Sequence, residues 1–251
     1  MAGESSAITS STKGGSMNYL SKAQLEELRQ FDTPTVCNAI EKFNLRKKTD
    51  GFTSPLIKAM YHDRKPIVGY ACTAKISARY PGTKMNEEIL YTYYQSLLDC
   101  PSTPISIIQD IDEEPVGSFW GEVQTTVHKA LGCTGVVTNG GVRDLDEAYG
   151  LGFTYLASCT LVSHAYIHME STGTPVEIGG LIVHPGDLIH ADKHGAVLIP
   201  NEIAAQVADA CRQMQEAELP VLHGCRAVED GALNIADLRL WRAEMAKLRN
   251  K

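Results

Sequence analysis

The chain has 251 residues, with 23 Lys and Arg against 30 Asp and Glu and a formal net charge of −7. That length can bury a large core in one domain or two small ones, and 43% hydrophobic with 21% charged residues is an ordinary globular composition. No apolar run approaches the roughly 18 residues of a membrane span, and the acidic balance argues against a phosphate-gripping surface, so neither a membrane nor a nucleic acid is the expected partner.

Residues 1–16, MAGESSAITSSTKGGS, are rich in Ser, Thr and Gly and lack an apolar h-region. They read as a disordered leader before a natural-looking start at Met17. Ser21 with Gln24, then Leu25 and Leu28, has the shape of a capping box opening a short helix. Thr33-Pro34 starts a second helix with Val36, Ile40 and Phe43 on one face. Residues 67–80 read as a strand, 86–98 as a helix and 105–111 as a buried strand. The segment 121–131 has helical spacing with Gly132 as a C-cap, and 135–138 is a short strand. Asn139-Gly140-Gly141 is a tight turn, 144–150 a short helix and 153–162 a strand, an order that suggests a βαβ unit. Short strands at 176–178, 181–183, 187–191 and 196–199 form a meander or small barrel-like sheet. A long helix over 201–218 is expected to stop at Pro220, and an amphipathic helix over 235–249 closes the chain.

Seven cysteines stand at 37, 72, 100, 133, 159, 211 and 225. The odd number and the lack of any C-x-x-C pair point to free thiols in a reducing compartment, the cytoplasm, rather than a disulfide framework or structural zinc.

The sharpest local feature is Asn139-Gly140-Gly141-Val142-Arg143-Asp144. Two glycines after a strand let the backbone approach a ligand closely. Arg143 offers a planar fork for a carboxylate, and Asp144 a hard oxygen for Mg²⁺ or Mn²⁺. A plainer reading stands beside this one: Asp144 with Glu147 as a capping pair and Arg143 in a surface ion pair. The second feature is Trp120-Gly121-Glu122-Val123-Gln124, where Gly at a helix start exposes backbone N–H groups suited to a carboxylate. Glu122 is equally a partner of the helix dipole. His164 and His168 are four apart, but no acid lies between them and they follow a strand, so a zinc pair is not expected; a pocket role for His164 stays open. His190 and His194 flank a turn and read as surface residues. Trp120 and Trp241 read as core or interface. Lys84 in Pro-Gly-Thr-Lys lacks the rest of a phosphate loop.

Together, Trp120-Gly121-Glu122, the strand leading to Gly141-Val142-Arg143-Asp144, and Pro185-Gly186-Asp187, Ala191-Asp192, Gly195 and Pro200 resemble the RraA-like family. That family contains the regulator of ribonuclease activity A and the class II 4-hydroxy-4-methyl-2-oxoglutarate aldolases. The resemblance runs from about Asp32 to Pro200. It departs at His194-Gly195, where Asp-Gly is common, and at Asn38, where Asp is usual.

The resemblance implies an α/β fold, a swivelling β/β/α sandwich with C-terminal helices. The RraA-like domain would span 17–225, with a helical extension over 226–251. It implies trimers or hexamers with sites between subunits. Arg143 matches the arginine that binds the 2-oxo acid, and Asp144 the aspartate that holds the divalent metal. Gly121, Glu122, Val123 and Gln124 match the loop whose amides take the substrate carboxylate. Glu122 falls at the acidic position that orders water beside the metal. Glu218, with Glu216 competing for the register, matches a glutamate reaching into a neighbour's site. The implied function is a lyase dependent on Mg²⁺ or Mn²⁺ that cleaves a 4-hydroxy-2-oxo acid to pyruvate by a retro-aldol step, Arg143 and Glu122 carrying the catalysis, with oxaloacetate decarboxylation as a side reaction. The alternative is a non-catalytic regulator that binds a ribonuclease. A methyltransferase is excluded by the lack of a Gly-rich nucleotide loop after a first strand.

Overall fold

The computed structural model describes residues 19–249; the expected leader at 1–16 lies outside them. In chain order come α1 (Lys22–Leu28), α2 (Thr33–Glu41), β1 (Lys58–Ala59), β2 (Ile67–Ser77), α3 (Lys84–Leu98), β3 (Pro104–Asp110), α4 (Glu122–Ala130) and β4 (Gly135–Thr138). They are followed by β5 (Gly141–Val142), α5 (Leu145–Gly150), β6 (Thr154–Ala157), β7 (Cys159–Thr160), β8 (His168–Thr172), β9 (Val176–Ile178) and β10 (Leu181–Val183). The chain ends with β11 (Leu188–Asp192), β12 (Gly195–Ile199), α6 (Ala204–Arg226) and α7 (Ile235–Arg249). The architecture is mixed α/β with C-terminal helices, the class the sequence implies.

Local chemistry starts the first two helices. Ser21 Oγ accepts from Gln24 N at 3.3 Å and Gln24 Oε1 accepts from Ser21 N at 3.0 Å, a reciprocal cap. Asp32 Oδ1 accepts from Thr35 N at 2.9 Å, ahead of the Pro34 that pre-sets the helical backbone.

The main sheet has the order β1-β6-β4-β3-β2-β11-β12. Its centre is parallel, with Tyr70 beside Pro104, Ser106 beside Val136 and Gly135 beside Thr154. The flanking strands β1, β11 and β12 run antiparallel to their neighbours. Strand β2 is long enough to pair twice along one edge, with β11 beside Ile67–Tyr70 and β8 beside Ala74–Ser77. Both faces of the parallel centre are covered, which is why its strands are buried on both sides and mostly apolar. Val136 and Tyr155 face α3, α4 and α5, packing with Tyr93, Leu97, Trp120 and Phe153. Their neighbours Val137 and Leu156 face the β9–β10 hairpin, packing with Val176, Ile178, Leu181 and Val183. Each such fully buried aliphatic side chain stabilises the fold by about 1.5–3 kcal/mol. A third cluster joins α1, α2 and α6 to the sheet through Leu28, Val36, Val207, Cys211 and Ile199.

The structure departs from the sequence reading in several places. The expected strand 153–162 breaks at Ser158, where β6 leaves the main sheet and β7 pairs with β5 instead. Ser158 N donates to Gly140 O at 3.2 Å and Ser158 Oγ to Asn139 O at 2.7 Å, which pins the break to the glycine turn. Helix α6 does not stop before Pro220 but continues to Arg226. Proline there removes one N–H, yet α7 packs along the last turns so closely that a Cβ on Gly224 would lie 2.4 Å from the Trp241 ring. Tertiary packing outweighs the local break. The strand expected over 67–80 ends at Ser77, and β1 and β8 are additional. His190, expected at the surface, is fully buried. It sits on β11 between two strands and beneath α2, with Nδ1 3.0 Å from Thr33 Oγ1 and Nε2 3.1 Å from Phe31 O. Burial holds its imidazole below the usual range, so it packs as a neutral ring. The seven cysteines are free thiols, and no helix among the described residues is long and apolar enough to cross a membrane.

Candidate functional site

Two segments meet beyond the C-terminal end of β4. One is the Asn139-Gly140-Gly141 turn with β5, Arg143 and Asp144; the other is Ser118 to Gln124, which opens α4. Their backbones are stitched together. Trp120 and Val142 form a parallel bridge, and Arg143 N donates to Trp120 O at 3.1 Å. Ser118 Oγ lies 2.6 Å from Trp120 O and 2.9 Å from Gly141 O, a hydroxyl shared between the segments. Trp120 anchors the junction. Its ring is fully buried, stacked on Phe153 at 5.5 Å and against His128 at 4.4 Å. Burial pushes the His128 imidazole down to about 4, so it is a neutral packing group.

Asp144 is held in the left-handed region, with φ of 53°. A non-glycine residue there costs on the order of 1 kcal/mol. The side chain does not cap its own helix α5, so the capping pair with Glu147 is not formed. Instead its Oδ2 accepts from Glu122 N at 2.8 Å, across to the first turn of α4. Gly121 makes this approach possible. Its backbone is extended, which any residue adopts, but a Cβ there would lie 2.6 Å from Asp144 Oδ2 and 3.1 Å from Arg143 Nε. Arg143 Nε lies 3.8 Å from Asp144 Oδ1, and each side chain is about 35% exposed. Arginine fork and carboxylate therefore converge over one glycine, half-open to solvent.

The other expected residues line the same helix start. The first intrahelical bond of α4 is Thr125 N to Gly121 O at 2.9 Å, so the amides of Val123 and Gln124 precede it and point out of the helix end. Glycine at the N-cap supplies no side-chain acceptor for them. The Glu122 side chain is exposed. Val123 is 75% exposed beside the site. Gln124 Oε1 accepts from Tyr94 Oη at 2.7 Å, tying α4 to α3.

Asn139 of the turn motif and several groups that the sequence reading missed support this turn. Asn139 clamps the end of β3, its Oδ1 accepting from Asp110 N and its Nδ2 donating to Asp110 O, both at 2.8 Å. Asp110 is 2% exposed, and its Oδ2 has no hydrogen-bond partner. Burial pushes this carboxyl up to about 6. A Cβ on Gly140 would lie 3.2 Å from that oxygen, so the turn passes directly over it. An Asp closing a buried, mostly apolar strand was a readable signal; nothing local marked Tyr94 or Ser118.

Other expectations fall outside the site. His164 is exposed in a turn and His168 lies on β8, bonded through Nε2 to Glu170 at 2.7 Å, so the two do not share a helix face. Glu218 Oε1 accepts from Arg249 Nη2 at 2.6 Å, which binds it to α7 of its own chain. Among the described residues no three His, Cys, Asp or Glu side chains gather into a metal cage. The residues present do suit a water-rich Mg²⁺ or Mn²⁺ site, because such ions keep several waters and need only one or two carboxylates. Asp144, part-exposed and fixed through one oxygen, is the first of these, with Glu122 opening the adjoining helix.

The comparisons with known proteins bear on the family and the fold. Residues 33–198 match the RraA-like family, described as Aldolase/RraA. A Halalkalibacterium halodurans protein, provisionally named a 4-hydroxy-4-methyl-2-oxoglutarate aldolase, is 24% identical over 78% of this chain and 87% of its own length. An uncharacterized protein of Pseudomonas syringae pv. tomato superposes with a TM-score of 0.69 at 20% identity, covering 94% of this chain and 99% of that one. Streptomyces coelicolor RraAS2, an unusual member of the RNase ES inhibitor RraA protein family, superposes with a TM-score of 0.64 at 20% identity, covering 83% of this chain and 98% of that one. The matched span contains Gly121, Arg143 and Asp144 together with the whole central sheet, and the chain belongs to the RraA-like family.

Proposed function

We propose that the chain is a divalent-metal-dependent lyase that cleaves a 4-hydroxy-2-oxo acid to pyruvate, with oxaloacetate decarboxylation as a side reaction. The observation that carries this reading is the placement of Asp144. A strained backbone turns its carboxylate away from its own helix and onto the Glu122 amide, beside Arg143 and over Gly121. Capping its own helix α5 would not require that conformation. Asp144, among water ligands, would hold Mg²⁺ or Mn²⁺, which would supply Lewis-acid stabilisation of the negative charge that develops on the substrate.

The chain's own residues do the rest. Arg143 holds the 2-oxo carboxylate with its planar fork. The amides of Val123 and Gln124 at the start of α4 orient a carboxylate at the other end of the substrate. Glu122, acting through a water, takes the proton of the C4 hydroxyl. The C4–oxygen electrons form the new carbonyl, the C3–C4 bond breaks, and its electron pair passes to C3 as the pyruvate enolate. Protonation at C3 then gives pyruvate. Oxaloacetate yields the same enolate by losing CO₂, without a hydroxyl proton to remove.

The experiment is pyruvate release from a panel of 4-hydroxy-2-oxo acids with and without Mg²⁺. Metal-dependent release from at least one of them is expected. No turnover on any of them, or on oxaloacetate, with either metal would move the assignment to a non-catalytic regulator. The assembly we propose is a trimer or a multiple of one, and light scattering that gave a monomer at micromolar concentration would remove it.

A further inference from the structure

A second cleft, of about 470 Å³, lies at the opposite ends of α4 and α5. Its walls carry Arg29, Arg64, Lys65 and Lys129 against one carboxylate, Asp63, in a chain whose net charge is −7. The acids nearby offset only part of this charge. Asp63 accepts from Tyr149 Oη at 2.7 Å, and Arg29 is already paired with Glu26 at 2.8 Å.

Arg64 and Lys129 converge on one point. A Cβ on Gly152 would lie 3.4 Å from Lys129 Nζ and 3.8 Å from Arg64 Nη1, and Gly152 has a φ of +74° that a side chain rarely adopts. Each cation gives one N–H to a carbonyl at the end of α5, Arg64 to Tyr149 O and Lys129 to Leu151 O. The Arg64 guanidinium lies over the Tyr149 ring, 4.1 Å from its centroid, which fixes the plane of its fork. Two polar atoms on residues lining this cleft, Arg64 Nε and Thr134 Oγ1, are buried without a hydrogen-bond partner. Both atoms are closed off from the open space of the cleft and offer no contact to a ligand, whereas the two like charges facing one gap repel unless an anion stands between them.

We infer that this cleft binds a small polyanion bearing a phosphate or pyrophosphate group, at a site separate from Arg143 and Asp144. An excess of cations over carboxylates calls for more than one negative charge. A tetrahedral phosphate can meet a flat arginine fork and an ammonium from different directions at once. Gly152 leaves the space in which its oxygens sit.

The test is calorimetric titration with pyrophosphate at constant ionic strength in metal-free buffer, since screening alone would otherwise alter the heats. Saturable binding is expected in the wild type and equally in Arg143→Ala. Lys129→Gln and Arg64→Gln should each weaken it by about tenfold or more, the loss of one charge-assisted hydrogen bond. Because Arg64 also packs on Tyr149, the exposed Lys129→Gln variant carries the test if Arg64→Gln does not fold. Absence of saturable binding, unchanged affinity in Lys129→Gln, or loss of binding in Arg143→Ala would each overturn the inference. So would a single-stranded oligoribonucleotide that binds more tightly than pyrophosphate and loses affinity in the same variants, because the cleft would then serve a polymer backbone.

Discussion

The two ends of α4 and α5 use charge in different ways. At their starts, a carboxylate and an arginine are placed by short, constrained segments: a left-handed Asp144, a glycine at 121, and a buried tryptophan behind both. At their far ends, long side chains from α4 and from the loop before β2 reach helix-end carbonyls and leave a cationic cleft. Helix starts favour anionic partners and helix ends favour cations, which accounts for the signs at both places. The difference in precision suits the two tasks we propose. Bond cleavage requires reacting groups held within a narrow range, whereas capture of an anion tolerates flexible lysine and arginine stems.

The contrast breaks most completely at Asp144. Asn there keeps the left-handed backbone and an oxygen for the Glu122 amide, because Asn tolerates that region nearly as well. It removes the negative charge. We expect Asp144→Asn to lose retro-aldol cleavage and decarboxylation together, by roughly a thousandfold, with its melting temperature within a few degrees of the wild type. Retained activity at saturating Mg²⁺ would show that the constrained geometry serves the fold alone.

Glu122→Gln separates the two reactions. Loss of a general base costs about 10²–10⁴ in rate, so aldol cleavage should fall by that factor and decarboxylation much less. Equal losses in both would make Glu122 an organiser of the water shell and not the base. The smaller change Arg143→Lys keeps the charge and loses the fork. A fall of about ten- to a hundredfold in kcat/KM is expected, the range of one or two charge-assisted bonds; wild-type kinetics would place this arginine in a surface ion pair.

The smallest effect concerns the rigidity beneath the turn. Asp110 in the folded chain is pushed up to about 6 by burial, whereas an unfolded Asp titrates near ~3.9. Between these values the folded chain holds a proton that the unfolded chain has released, so this group's contribution falls as pH rises from about 4 through 6. At neutral pH the buried charge costs on the order of 3 kcal/mol. Asp110→Asn should therefore melt several degrees higher than the wild type at pH 7.5 and about the same at pH 4. His128 works in the opposite direction, since an unfolded His gains a proton below about 6.5 that the buried ring refuses. It contributes equally to both proteins and cancels in the difference. A difference independent of pH would mean that Asp110 is not the titrating group.

Much of this architecture is legible in the order of residues, wherever neighbours along the chain supply the cause. Reciprocal caps begin α1, Asp32 and Pro34 begin α2, and alternating or mostly apolar runs mark β2, β3, β4 and the four short strands from Val176 to Ile199. The glycine turn, the arginine and the aspartate stand together in six consecutive residues, so a site could be read there before any coordinates. The rest depended on partners distant in sequence. Strand β8, His-Met-Glu-Ser-Thr, has no alternation of its own and exists because β2 offers an unpaired edge. Helix α6 passes Pro220 because Trp241 of α7 packs on Gly224. His190 is buried because α2 folds over β11, a contact no local pattern announces. The same holds for the central bond of the site. Asp144 follows a turn and precedes a helix, which locally spells a cap; only the close approach of Gly121 turns its carboxylate onto α4. Backbone preferences act over a few residues, whereas the position of a side chain in a fold is set by whichever segment packs against it.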